Sequence, residues 1–164
     1  MWERLNAVLV KTARQQAGRN PQPSAAIIDS QSVKTSEGGE ARGVDVHKQT
    51  NGRKRPIVVD VLGLLLTVVV HSASIPDGTG GKLTLQRLFA RIKRSVYTRH
   101  CRLKLIWADG AYEGIVAYVR QQFGWVLDIV ESIKNLGMPH RPQVLGGRHL
   151  VAFQAPVVNL SPTF

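Results

Sequence analysis

Between residues 2 and 17, Trp2, Leu5, Leu9 and Ala13 recur at helical spacing, with Arg4, Lys11 and Arg14 among the other positions, which predicts an amphipathic helix. Asn20-Pro21-Gln22-Pro23 stops it and forms a short linker. A first strand is expected over roughly 25–32, and the three glycines and two glutamates of residues 36–43 predict an exposed loop. Pro56 to Val61 and Leu64 to Val70 are β-branched runs separated by Leu62-Gly63 and predict an antiparallel hairpin. Both are apolar enough to read as central strands. Residues 74–81, with Pro76, Asp77, Gly78, Gly80 and Gly81, read as a turn-rich loop. Leu85, Leu88, Phe89, Ile92 and Val96 then share one helical face, which predicts a helix over 82–96 with a cationic outer side. A strand over 103–108, a helix from about 113 to 122 and a last strand over 125–130 complete the series. Helix, strand, hairpin, helix, strand, helix, strand implies a mixed α/β sheet with helices on its faces, ending in a parallel β-α-β crossover.

Two of the apolar runs close in the same way. Residues 25–28 lead into Asp29-Ser30, and residues 103–108 lead into Asp109-Gly110. A carboxylate at the exit of a buried strand is costly without compensation. If the two strands are parallel neighbours, both aspartates face one end of the sheet, and a divalent cation is the natural compensation. Taken singly, each aspartate reads as a turn cap. The charge balance tips the pair toward chemistry: the chain of 164 residues carries a formal charge of +11, which points to a polyanion, nucleic acid above all. Acid held in a basic protein suggests metal-dependent work on a phosphate backbone. Hydrophobic content of 43% and charged content of 20% fit a globular chain rather than a disordered one. Cys101 is the single cysteine, which rules out an internal disulfide and a Cys-rich zinc site and fits a reducing cytoplasm. No signal peptide or bilayer-spanning run is read in the chain, so no membrane role is expected.

Three stretches together resemble insertion-sequence transposases of the IS4/IS5 type, which belong to the DDE transposases. They are Ile27-Ile28-Asp29-Ser30-Gln31-Ser32-Val33-Lys34, Gly52-Arg53-Lys54-Arg55 running into Val58-Val59-Asp60-Val61-Leu62-Gly63-Leu64, and Ile106-Trp107-Ala108-Asp109-Gly110-Ala111-Tyr112. The likeness runs in register from about residue 2 to about residue 133. It implies a ribonuclease H-like fold and a bacterial, nucleoid-associated setting. It also implies double-stranded DNA as partner, both element ends and target, and leaves homo-oligomerisation open. In the mechanism it implies, two aspartates and a glutamate hold two Mg²⁺ (or Mn²⁺) ions for DNA cleavage and strand transfer. Asp29 and Asp109 match the first two acids as catalytic and metal-binding residues. The third acid has no match: the family's glutamate lies in a later block rich in Arg, Trp, Val and Glu, whereas residues 132–164 contain no Asp or Glu. Gln143-Val144-Leu145-Gly146-Gly147-Arg148-His149 starts near the expected place and diverges. The sequence is therefore read as an N-terminal helix and linker (1–20), a partial ribonuclease H-like DDE core (21–133) with its C-terminal part incomplete, and a divergent tail (134–164). A frame change or truncation and an inactive chain are the corresponding expectations.

Lys34, Arg42, Lys48, Arg53, Lys54 and Arg55 are the expected phosphate contacts, which supply affinity without base readout. A second run, Lys82 to Lys104, carries eight Lys or Arg and no acid, and either extends that track or keeps a helix soluble. Glu131, Asp60 and Asp77 are not expected to bind metal; Asp60 and Asp77 read as turn or cap residues. His47 and His71 read as structural and Trp107 as core. Two rivals remain at this point: a non-catalytic DNA-binding remnant, and a haloacid-type phosphatase, which wants a second Asp where Gln31 stands. A phosphate-cradling P-loop pattern is missing from the sequence.

Overall fold

A computed structural model of the chain describes residues 1–35, 42–45, 49–94 and 101–130. Helix α1 spans Trp2–Gln16. Among the described residues seven strands make one sheet: β1 (Ala25–Lys34), β2 (Gly43–Asp45), β3 (Thr50–Asp60), β4 (Leu65–Val68), β5 (His71–Ser72), β6 (Leu105–Ala108) and β7 (Val126–Ile129). Helix α2 (Asp77–Arg94) joins β5 to β6, and a 3₁₀ helix (Gly110–Ile115) running into α3 (Val116–Phe123) joins β6 to β7. The sheet order is β2-β3-β1-β6-β7, with β4 and β5 also on β3. β1 and β3 are antiparallel, whereas β1–β6 and β6–β7 are parallel. This is the mixed sheet with flanking helices that the order of apolar runs implies.

Strand alternation builds the core. Ala26, Ile28, Val58, Ile106, Ala108 and Leu127 bury one face of the sheet, where Leu85 and Leu88 of α2, Tyr112 and Ile115 of the 3₁₀ helix and Val119 of α3 close over them. The opposite rows of β1 and β3 stay half-buried or exposed.

Four expectations change. β1 runs to Lys34 because β3 pairs with it from Ala26↔Asp60 to Lys34↔Gly52, so cross-strand bonds carry it past the polar Ser30-Gln31-Ser32. β4 is an edge strand on β3, not a central one, and its Leu65 is exposed. Residues 77–81 are helix, not loop. Their glycines weaken a helix by about 1 kcal/mol each, yet they let α2 come close to its neighbours. A Cβ on Gly81 would sit 2.7 Å from Cε1 and 2.9 Å from Cδ1 of Tyr112, and one on Gly80 would meet the His71 ring. Packing overrides propensity here. Finally, the buried residues of α1 are Val10 and Arg14, while Trp2, Leu5 and Leu9 are exposed. α1 rests on β4, where Asn6 Nδ2 donates to Leu65 O at 2.8 Å.

Arg14 is buried because it pairs with Asp60, itself fully buried at the β3–β4 turn. The other Asp60 oxygen accepts from the backbone N–H groups of Leu62 and Leu64, both at 2.9 Å. Gly63 supplies the left-handed conformation (φ +77) that the turn needs. The turn role read for Asp60 is present, with an arginine added.

Candidate active site

Asp29 stands where β1 parts from β6. The parallel register runs Ala25↔Leu105, Ala26↔Ile106, Ile27↔Trp107. The same offset carried two residues further sets Asp29, midway along β1, level with Asp109, the residue that follows β6. Both residues are exposed. Asp29 Oδ1 accepts from Ser30 N at 2.7 Å. Asp109 caps the 3₁₀ helix, its Oδ1 accepting from Ala111 N at 3.1 Å and its carbonyl from Tyr112 N at 3.1 Å. Each carboxylate therefore holds its own turn with one oxygen.

Tyr112 lies in the first turn of the 3₁₀ helix that follows Asp109. Its side chain is fully buried, its ring lies against Gly81, and its hydroxyl has no hydrogen-bond partner among the described residues. Burial pushes the phenol well above its ordinary pKa, and the negative charges of Asp77, Asp29 and Asp109, in that order, push it further. The Ser30 side chain offsets part of this, from a geometry short of a full hydrogen bond.

Asp77 is fixed from the other side by Lys54. The Lys54 ammonium lies 3.2 Å from Asp77 Oδ1, 3.2 Å from Asp45 Oδ2 and 3.2 Å from Ile75 O, and Ser32 Oγ donates to Asp45 Oδ2 at 2.7 Å. Only 4% of the Lys54 side chain is exposed.

With strands β1 and β6 bringing two motif aspartates level, the sequence comparison decides the family. Residues 20–138 match the family model described as a transposase DDE domain. The chain belongs to that family. A piggyBac transposase solved by cryo-EM in a synaptic complex with hairpin DNA is similar at 15% identity and a TM-score of 0.43, over 72% of this chain and 25% of that one. The chain thus spans about a quarter of the length of that transposase. No curated protein matches the chain.

In this DDE domain the expected phosphate contacts divide by strand parity. The basic triplet 53–55 lies inside β3, not on the approach to it. Arg55 pairs with Gln31 and Arg53 with Val33, on the same sheet face as Asp29, which pairs with Ile57. Lys54 points to the opposite, buried face. Its assignment as a phosphate contact is corrected: its ammonium is committed to two carboxylates inside the fold. Arg55 is exposed, with Nη2 3.4 Å from Gln31 Oε1, and Arg53 is half-buried. Lys34 is exposed at the end of β1, and Arg42 is exposed with Nε donating to Asn51 Oδ1 at 3.1 Å. Lys48, His47 and Glu131 lie outside the described residues, as does the tail. His71 is buried against Gly80, its Nδ1 2.8 Å from Ser72 O. Trp107 is half-buried.

Among the described residues no group of three His, Cys, Asp or Glu side chains is arranged to hold a metal. Asp29 and Asp109 offer two hard oxygen donors. That suits Mg²⁺ or Mn²⁺, which take one or two protein carboxylates and fill the other positions with water and substrate phosphate. Glu113 and Asp128 are exposed. Among the described residues no helix is long and apolar enough to cross a membrane. The sequence reading missed the Lys54–Asp77 pair and the burial of Tyr112. The available signal was the alternation Gly52, Lys54, Pro56, Val58, Asp60, which runs back from the apolar strand and buries a lysine in need of acids.

Proposed function

We propose that this DDE domain is the catalytic core of an insertion-sequence transposase of the IS4/IS5 type, with Asp29 and Asp109 as the metal-binding, catalytic aspartates. The parallel pairing of β1 with β6, which sets both residues level, carries the reading. A divalent ion, when bound, would activate the oxygen that attacks a DNA phosphodiester and stabilise the leaving oxygen. The protein's own part is to hold two carboxylates together at the mouth of a cationic sheet face. On that face Arg53 and Arg55, with Lys34 and Arg42 nearby, are suited to the phosphates of double-stranded DNA. The test is Mn²⁺ titration of the full chain beside Asp29→Ala and Asp109→Ala. Each substitution should abolish the specific site; binding that survives both would remove the metal centre and, with it, the nucleotidyl-transfer reading.

A second reading, a DNA-binding remnant without catalysis, is favoured by one observation: residues 132–164 contain no acid to serve as the family's third ligand. On that reading the chain binds DNA and one metal ion, yet transfers no strand. Robust strand transfer by the purified chain would exclude it.

A further inference from the structure

The ridge formed by α2 and α3 carries cations and aromatic rings side by side. Lys82, Gln86, Phe89 and Lys93 fall on one stripe of α2, at successive turns, and Tyr118 and Phe123 of α3 stand beside them. The Lys82 ammonium lies 4.9 Å from the centre of the Tyr118 ring, and the Lys93 ammonium 4.6 Å from that of Phe89. Gln86 Nε2 donates to the Tyr118 hydroxyl at 2.7 Å and so anchors the ring at its outer end. Phe123 meets Phe89 at 5.0 Å and Tyr118 edge to face at 5.8 Å, above a buried Trp125. The three outer rings stay half-buried, with lysine chains over two of them.

The charge around these rings is of one sign. From Lys82 to Lys104 the sequence holds eight Lys or Arg and no acid. A second stripe of α2 meets α1, where Arg87 Nη2 pairs with Glu3 Oε1 at 2.7 Å. Among the described residues no carboxylate forms an ion pair with Lys82 or Lys93. We propose that the α2–α3 ridge is a binding site for single-stranded DNA: Lys82 and Lys93 swing from the ring faces to phosphates, and bases take their place on Tyr118 and Phe89. Two kinds of group on the ridge, cation and ring, match the two that a single strand exposes, phosphate and base face. A duplex offers the phosphates but keeps its base faces stacked, so it would leave the rings unused. The two lysines stand about 16 Å apart along the helix, which spans a short run of nucleotides. α2 packs on the sheet face that holds Ile28 and Val58, whereas Arg53 and Arg55 lie on the face of Asp29. The ridge is therefore separate from the face assigned to duplex DNA, and the proposal does not depend on the metal centre.

The experiment is fluorescence anisotropy of a short labelled oligodeoxythymidylate with the full chain. The proteins are wild type, Lys82→Gln with Lys93→Gln, Tyr118→Leu, Tyr118→Phe, and Arg4→Gln with Lys11→Gln. Wild type should bind the oligomer more tightly than an abasic one of equal length. Lys82→Gln with Lys93→Gln should lower the slope of log affinity against log salt by about 1.4, roughly 0.7 for each phosphate of a single strand. Arg4→Gln with Lys11→Gln removes the same charge from α1 and should leave the slope alone. Tyr118→Leu should weaken binding on the order of tenfold to a hundredfold, and Tyr118→Phe far less, since the ring is kept. In unmodified protein, the ring-proton resonances of Tyr118 and Phe89 should move upfield as the oligomer is added, a readout that needs no variant to fold. Equal affinity for the abasic and thymidylate oligomers would reduce the ridge to a phosphate track and overturn the proposal. Unmoved ring resonances, or a slope that falls as far for the α1 pair, would overturn it as well. Failure of wild type to bind the oligomer would leave the ridge to another kind of partner and end the proposal, with the metal centre untouched.

Discussion

At the scale of single residues, the two motif aspartates each hold a local backbone turn. Asp109 caps a 3₁₀ helix, and Asp29 accepts from Ser30 N. Tyr112 gives this scale a pH signature. Its folded pKa is raised above the ordinary value of 10.0, first by burial and then by Asp77, Asp29 and Asp109. The folded state therefore keeps a proton that the unfolded state releases. The associated stability is fully present below about pH 10 and is lost as pH climbs beyond it, at about 1.4 kcal/mol per pH unit. Urea unfolding of wild type and Tyr112→Phe from pH 9 to 11 should show a slope shallower by that one proton in the variant. Parallel slopes would mean that the phenol ionises in the native state. The level placement of Asp29 and Asp109 was legible in the sequence because each follows an apolar run of a kind that pairs in parallel. The burial of Tyr112 was not, because it depends on where α2 lands, and residue type carries no trace of that.

At the scale of elements, periodicity located the three α-helices and the main strands of the described residues, and failed where packing outweighs local preference. The glycines of residues 78–81 read as a loop by propensity, yet they are the first turns of α2. Gly81→Ala should test the reason. The added methyl would lie 2.7 Å from a ring carbon of Tyr112. Overpacking of this kind costs about 1–3 kcal/mol, more than the ~1 kcal/mol of helix propensity gained. Gly78→Ala is the control, since its Cβ would meet Ile115 Cγ2 at an ordinary 3.5 Å and should stabilise by about 0.5 kcal/mol. Urea midpoints that move the same way for both would show that the close approach of α2 is not what requires glycine. β3 teaches a related lesson. Three consecutive cations looked like one patch, but a strand sends its second member to the opposite face, and a lysine there is tolerable only with acids around it.

At the scale of the whole molecule, the net charge of +11 points to a polyanionic partner, and strand parity sorts the cations of β3 by sheet face. Arg53→Ala with Arg55→Ala should weaken binding to all DNA sequences alike. The slope of log affinity against log salt should fall by about 2, roughly 0.9 for each phosphate left without its arginine. An unaltered slope would take this face out of the interface. Lys54→Ala should leave the slope alone and unfold the protein more easily by about 3–5 kcal/mol, because Asp45 and Asp77 would be stranded in the interior without a countercharge. That trio spans β2, β3 and the start of α2, so no member can drift alone. Across an aligned set of kindred sequences, positions 45, 54 and 77 should covary, turning apolar together or not at all, and a copy that has lost only one of them is a copy on its way to misfolding.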